Sequence, residues 1–385
     1  MTGPAQLRIA LGGLIALAGG IGLGRFLYTP VLPIMVDGAG LSPSRAGLIA
    51  SANFAGYLAG ALAASLPGMS PRAWNWLLAA LVTSAATTGA MALTDGLWPW
   101  MLLRFIGGWA SAFILVFTTA LVAVRLRAAG GLLPSLHFSG VGIGIAVSAL
   151  IAAPMAAADG AWRQVWLTGG ALSSVALVAV LVLVPRATPQ VGAPAPGRPA
   201  QRNGLWRLVP AYGCLGFGYV ITATFIVAML REGPSGGPGG REAETVVWLI
   251  VGLTGAPSIL IWTRIAGHIG AIRAYQAAML IEAAGVGLSA LSSGTLALAL
   301  AAAALGGTFM GLTAIGLQEA ARRAGGDGRA MMALMTASFG LGQMIGPGLA
   351  GWMRDLTGSF TAPSLIAALV LVAGGVLVWP MREGR

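Results

Sequence analysis

The stretch Gly19–Met35, GGIGLGRFLYTPVLPIM, lies in an apolar run bounded by Arg8 and Asp37, and Arg25 is the single charge between them. A bilayer-spanning helix needs about 20 apolar residues, so the run is long enough to cross. It is too long for a secretory signal and carries no small-residue cleavage site, so it reads as a retained helix. An arginine near the bilayer centre costs about 2.5–3.5 kcal/mol on insertion scales, and it must face a cavity or a partner. What Arg25 faces therefore bears on both fold and function.

The composition around this stretch agrees with a membrane protein. The chain has 385 residues, 57% of them hydrophobic and 9% charged, with a mean hydropathy of +0.84. Soluble domains carry about 25% charged residues. All 22 basic residues are arginine, and the net charge is +11. In a soluble protein such a balance would point to nucleic acid; here the arginines read as markers of cytoplasmic loops, and no nucleic-acid partner is expected. One cysteine, Cys214, sits inside an apolar segment, which excludes a disulfide framework and a cysteine-rich metal site. No metal or cofactor is expected.

Apolar stretches and their Gly, Pro and Arg breaks predict twelve spans, at 7–36, 43–66, 74–93, 97–124, 131–157, 161–184, 207–231, 242–265, 271–292, 294–321, 328–354 and 361–381. The polar, Pro/Gly/Ala-rich segment Pro185–Gly204 divides them six and six. The expected domains are an N-terminal six-helix bundle over 1–184, a linker over 185–206 and a C-terminal bundle over 207–385. A second polar segment, Arg231–Glu244, reads as a flexible loop. With both termini in the cytoplasm, 15 arginines fall on that side and 5 on the other, the orientation expected of a multi-pass bacterial inner-membrane protein.

Three short internal matches keep the same order in both halves. GLGRFLYTP (Gly22–Pro30) aligns with GFGYVITAT (Gly216–Thr224), RFIGGWASA (Arg104–Ala112) with ALGGTFMG (Ala304–Gly311), and FSGVGIG (Phe138–Gly144) with SFGLGQM (Ser338–Met344). Their offsets are 194, 199 and 200. Two six-helix halves related by a pseudo-two-fold axis form a transporter architecture, with the substrate site near the midplane between them. The offset pairs Arg25 with Tyr219 across that axis.

These features resemble the major facilitator superfamily. The strings GRFLYTPVLPIM, LIASANFAGYLAGAL, GFGYVITATFIVAML and TASFGLGQMIGPGLAGWMRDLTGSF are similar to its YbfB-like branch, over nearly the whole chain. The resemblance implies an all-α polytopic fold of twelve transmembrane helices in two pseudo-symmetric bundles, and alternating access. The charged loop usual between spans two and three is absent, since GALAASLPGMSPRAW has no aspartate there.

The expected function is secondary transport of a small organic anion of carboxylate type, proton-linked, by a monomer among membrane lipids. Two alternatives are efflux of drugs or other toxic compounds, and a non-transporting membrane sensor or scaffold. Arg25 and Arg104 are the intramembrane cations, and the N-terminal spans hold no acid to neutralise them; an electropositive cavity favours an anion. The alternative reading of Arg25 is a brace for carbonyls freed near Pro30 and Pro33. Tyr28 shares the face of Arg25 if the helix is continuous. Asn53, Tyr57, Tyr219, Thr222, Phe339 and Gln343 complete the candidate substrate site by their spacing. Arg104, through the resemblance, and His137 and Glu282, as titratable groups in or entering spans, are the candidates for proton coupling. For Arg104 a helix-bracing role is the alternative. GIGLGR lacks the preceding strand of a dinucleotide fingerprint, so no nucleotide site is expected.

Overall fold

The computed structural model describes residues 3–66, 68–126, 136–155, 161–186, 204–232, 240–292, 294–324 and 328–381. It contains twelve helical spans. Span one is interrupted: an α-helix over Gly3–Leu17 passes into a π-helical turn over Ala18–Leu23, and helix resumes at Tyr28–Ala39. Spans two to six are Pro43–Ala64, Ala73–Ala90, Leu97–Leu126, Ser139–Met155 and Ala161–Leu183. Spans seven to twelve are Leu205–Glu232, Gly240–Ile269, Ala271–Leu291, Thr295–Ala324, Gly328–Thr357 and Thr361–Val378. Among the described residues, ten of these, all but spans five and eleven, are long and apolar enough to cross a membrane, and Ser139–Met155 is a shorter apolar helix. Most of the linker, 187–203, lies outside the described residues.

Local chemistry sets the boundaries. Gly40, at φ +63°, closes span one in the left-handed region that glycine enters freely. Ser42 then caps span two by accepting from the Arg45 amide at 3.3 Å, and Pro43 occupies the first helical position, where its missing N–H costs nothing.

The two six-span halves meet chiefly along three helix pairs. Between spans one and seven, Thr29 donates to the Ala223 carbonyl at 2.7 Å. Between spans five and eight, Ser139 donates to the Ala256 carbonyl at 2.7 Å and Trp248 to the Ser148 hydroxyl at 2.9 Å. Between spans two and eleven, the Gly348 amide donates to Ser51 at 3.0 Å. Gly47 lies so close to the Pro347 carbonyl that any side chain there would collide with it, the close approach that small residues permit between membrane helices. The GQMIGPGLAG stretch thus serves as a packing surface.

Most of these contacts lie on the side away from the linker. That far side also carries a three-member ion cluster across the halves. Arg231 pairs with Asp37 at 2.5 Å and with Glu244 at 2.7 Å. The expected loop over Arg231–Glu244 is therefore shorter than its composition implies. Helix continues to Glu232 and restarts at Gly240, with Arg231 tying span seven to span one through Asp37 and to span eight through Glu244; residues 233–239 are outside the described set. Asp37 is 67% exposed, so the pair contributes only about 0–1 kcal/mol to stability. Because it joins the two halves on the far side, the cluster is expected to favour closure there. Arg231→Gln is expected to raise the labelling rate of a cysteine at Ile34 several-fold in a Cys214→Ala background, since about 1 kcal/mol shifts a two-state population by that factor. An unchanged rate would mean that the cluster does not bias closure.

Candidate functional site

The interruption in span one arises from a slipped hydrogen-bond ladder. The amides of Gly24 and Phe26 bond five residues back, to Gly19 at 3.0 Å and to Ile21 at 3.1 Å. Such π-bulges recur at functional sites. Pro30 has no N–H to continue the ladder, and the Thr29 amide turns to Phe26 at 3.3 Å. The carbonyls of Gly24 and Arg25 receive a side chain instead. Arg104 in span four donates through Nη1 to Gly24 at 2.8 Å and through Nη2 to Arg25 at 2.7 Å. The fork of a guanidinium suits two adjacent carbonyls. Its own backbone carbonyl accepts from Asn53 Nδ2 at 2.8 Å, which ties span two to the same node.

The break separates Tyr28 from Arg25. An i, i+3 pair shares a face only while the helix is regular. Tyr28 turns to the Arg104 side, donating to the Ala46 carbonyl at 2.9 Å, with its ring 6.4 Å from that of Trp166 and 5.3 Å from the Arg104 guanidinium. The brace attributed to Arg25 thus falls to Arg104, and the expected position of Arg104 in the substrate site is corrected: Tyr28, Asn53 and Arg104 form a support behind the cavity wall.

Arg25 points the other way, into a cavity of about 830 Å³ including its open mouth. The lining residues lie at the middle of their spans or on the linker side of it. Span one gives Ile21, Arg25 and Phe26; span two Tyr57; spans four and five Leu115, Phe138 and Val141. The second half gives Tyr212, Tyr219, Ile259, Phe309, Met310, Thr313, Ala314, Leu317, Thr336 and Phe339. Arg25 and Tyr219, paired by the sequence offset, line the same cavity from opposite halves.

Arg25 is 6% exposed, and its Nε and Nη2 have no hydrogen-bond partner. No ion pair to it exists among the described residues. Its guanidinium carbon stands 4.2 Å from the Tyr57 ring centre, 4.6 Å from Phe54 and 5.5 Å from Phe26. Ring faces attract a cation, but they do not replace its hydrogen bonds.

Of the other expected site residues, Tyr57, Tyr219 and Phe339 line the cavity. Gln343 is buried behind Tyr219 and donates its amide to the tyrosine hydroxyl, and Thr222 is wholly buried away from the lining. His137 is buried at the start of span five, with its ring centre 3.9 Å from that of Phe138; it is not part of the lining either. Glu282 in span nine is wholly buried, with Oε2 against the Thr308 hydroxyl. Glu319 pairs with both Arg322 and Arg323, at 2.6 and 2.5 Å.

The largest omission from the sequence reading is aromatic. Phe26 and Phe309, with Tyr219 and Phe339, dominate the centre of the cavity, whereas polar positions on helix faces were expected to shape it. No sequence signal singled out Phe26 or Phe309: the match of ALGGTFMG with RFIGGWASA sets Phe309 opposite Ala110, which does not line the cavity.

A family model described as "Uncharacterised MFS-type transporter YbfB" matches residues 17–379. No curated protein matches the chain significantly. Among solved structures, the nucleoside transporter NupG superposes with a TM-score of 0.70 at 17% identity, over 98% of this chain and 100% of that one. A point mutant of NupG gives 0.76 at 16% identity, over 97% and 100%. Likeness at this identity establishes the fold, two six-helix halves in the major facilitator arrangement. The family match spans nearly the whole chain, and the protein belongs to the YbfB-type family of major facilitator transporters.

Proposed function

We propose that this membrane transporter moves a small organic carboxylate across the bacterial inner membrane by alternating access, as a monomer with both termini in the cytoplasm and coupled to protons. The observation that carries the reading is Arg25, a buried guanidinium in the cavity wall whose Nε and Nη2 lack acceptors. A cation in that position is satisfied by an anion, and a carboxylate matches the planar fork. With the linker in the cytoplasm, the cavity faces inward and the Asp37–Arg231–Glu244 side is closed. Efflux of cationic drugs fits less well, since no Asp or Glu is among the lining residues. A neutral nucleoside, the substrate class named for NupG, gives Arg25 no charge partner. A sensor or scaffold would not require an unpaired buried charge. The test is a thermal-shift screen of purified protein against carboxylates, nucleosides and cationic drugs, followed by uptake into liposomes. Carboxylates are expected to stabilise the protein and to be transported. Stabilisation by nucleosides or drugs alone would contradict the reading.

The burial of Glu282, with one carboxyl oxygen lacking a partner, supports it as the proton carrier. The Thr308 hydroxyl lies 2.7 Å from the Ala304 carbonyl and also touches Glu282 Oε2. One hydroxyl has one proton. With that proton directed at Oε2, Glu282 Oε1 is left buried without a partner, so the carboxyl has a free site for a proton of its own. Thr308 is the chain neighbour of Phe309, which lines the cavity. Glu282→Gln keeps a donor and removes the titration. It is expected to bind substrate as wild type does while losing accumulation driven by a pH gradient. Full pH-driven accumulation in this variant would exclude Glu282 from coupling.

A further inference from the structure

The wall facing Arg25 narrows the substrate class, an inference that rests on the carboxylate reading above. Four aromatic residues of the second half form a continuous row. Tyr212 stacks on Phe339 with ring centres 4.9 Å apart, and Phe339 lies 5.8 Å from Tyr219 at an interplanar angle of 12°. Tyr219 in turn lies 5.7 Å from Phe309 at 11°. Phe339, Tyr219 and Phe309 therefore share nearly one ring orientation. Phe26 meets Phe309 edge-on at 6.2 Å, joining the row to the span that carries Arg25. Gln343 fixes Tyr219 from behind through its hydroxyl.

The polar groups of this cavity are few and one-sided. Arg25 is the one charged residue among the lining residues, with tyrosine hydroxyls and the hydroxyls of Thr313 and Thr336 as the remaining polar groups. A second carboxylate, an ammonium group or a run of sugar hydroxyls would lose water there without adequate replacement, which costs free energy. A flat ring loses little on entering such a site and gains stacking and dispersion against parallel rings. We infer that the substrate is an arene-bearing monocarboxylate, its carboxylate on Arg25 and its ring along the Tyr219–Phe309–Phe339 wall.

The test compares 3-phenylpropanoate with five altered probes, in binding to the purified full-length protein. Propanoate lacks the ring, 3-cyclohexylpropanoate has a ring that is not flat, succinate has a second charge, phenylalanine adds an ammonium group, and 3-phenylpropanamide loses the charge. 3-Phenylpropanoate is expected to bind about tenfold or more tightly than each of them. Phe309→Leu and Phe339→Leu keep apolar volume and remove the rings. They should weaken 3-phenylpropanoate severalfold and weaken propanoate much less. Parity of 3-phenylpropanoate with 3-cyclohexylpropanoate, or tighter binding of propanoate or succinate, would overturn the aryl assignment while leaving the carboxylate reading intact. Binding of the amide with no binding of any carboxylate would overturn both. Should a leucine variant unfold, the probe series on the wild-type protein decides alone.

Discussion

Arg104→Ala is expected to lower the stability of the folded transporter more than any other single substitution considered for this site. The guanidinium makes two charge-assisted hydrogen bonds to adjacent carbonyls, 2.8 Å to Gly24 and 2.7 Å to Arg25. Each such bond contributes about 1.5–3 kcal/mol, and its removal leaves a buried carbonyl without a donor. Together the loss is about 3–5 kcal/mol, which lowers Tm by on the order of 10 °C. Arg104→Lys is expected to fall between, because an ammonium group lacks the planar fork that meets two carbonyls at once. Thermal unfolding in detergent, followed by intrinsic fluorescence, measures both. A wild-type Tm for Arg104→Ala would show that the break in span one is held by something else.

Arg25 is expected to behave in the opposite way. It makes no ion pair among the described residues and braces no carbonyl, so its removal costs the fold little. Arg25→Gln removes a charge that is costly in the membrane interior, and its Tm should match or exceed that of the wild type. Transport should nevertheless be lost. Arg25→Lys keeps the charge without the bidentate geometry and should weaken carboxylate binding by about 1.5–3 kcal/mol, the scale of a charged hydrogen bond. The pair of arginines therefore separates cleanly by readout, with melting temperature reporting on Arg104 and ligand affinity on Arg25. If Arg25→Gln unfolded as Arg104→Ala does, the assignment of roles would be reversed.

The division of labour between these two arginines marks where the sequence was legible. Twelve spans, two halves and the Arg25–Tyr219 pairing followed from hydropathy, from the linker and from repeats at offsets near 200. These are properties of long segments, and they survive errors of a few residues. The fate of individual side chains was less legible, because it depends on helix phase. Tyr28 was placed with Arg25 on the assumption of a regular helix; the π-turn at Ala18–Leu23 and the irregular residues after it rotate the two apart. Asn53 and Thr222 are polar and lie near the membrane centre, but helix-to-helix hydrogen bonding and packing use polar side chains as readily as ligand binding does. Phe26 and Phe309 drew no notice because an aromatic residue in a membrane helix has no polar signature, although the cavity is built around them. The Asp37–Arg231–Glu244 cluster was hidden for a different reason, since its members are 194 and 13 residues apart and their meeting depends on the closed far side.

The most direct test of the central claim is a thermodynamic cycle between Arg25 and the charge it is proposed to hold. Dissociation constants are measured for 3-phenylpropanoate and 3-phenylpropanamide, each with wild-type protein and with Arg25→Gln, on samples whose Tm confirms folding. The wild type should prefer the carboxylate, and the preference should vanish in the variant, giving a coupling free energy of about 1.5–3 kcal/mol. A preference for the carboxylate that survives intact in Arg25→Gln would contradict the account, because the anion would then be held by some other group.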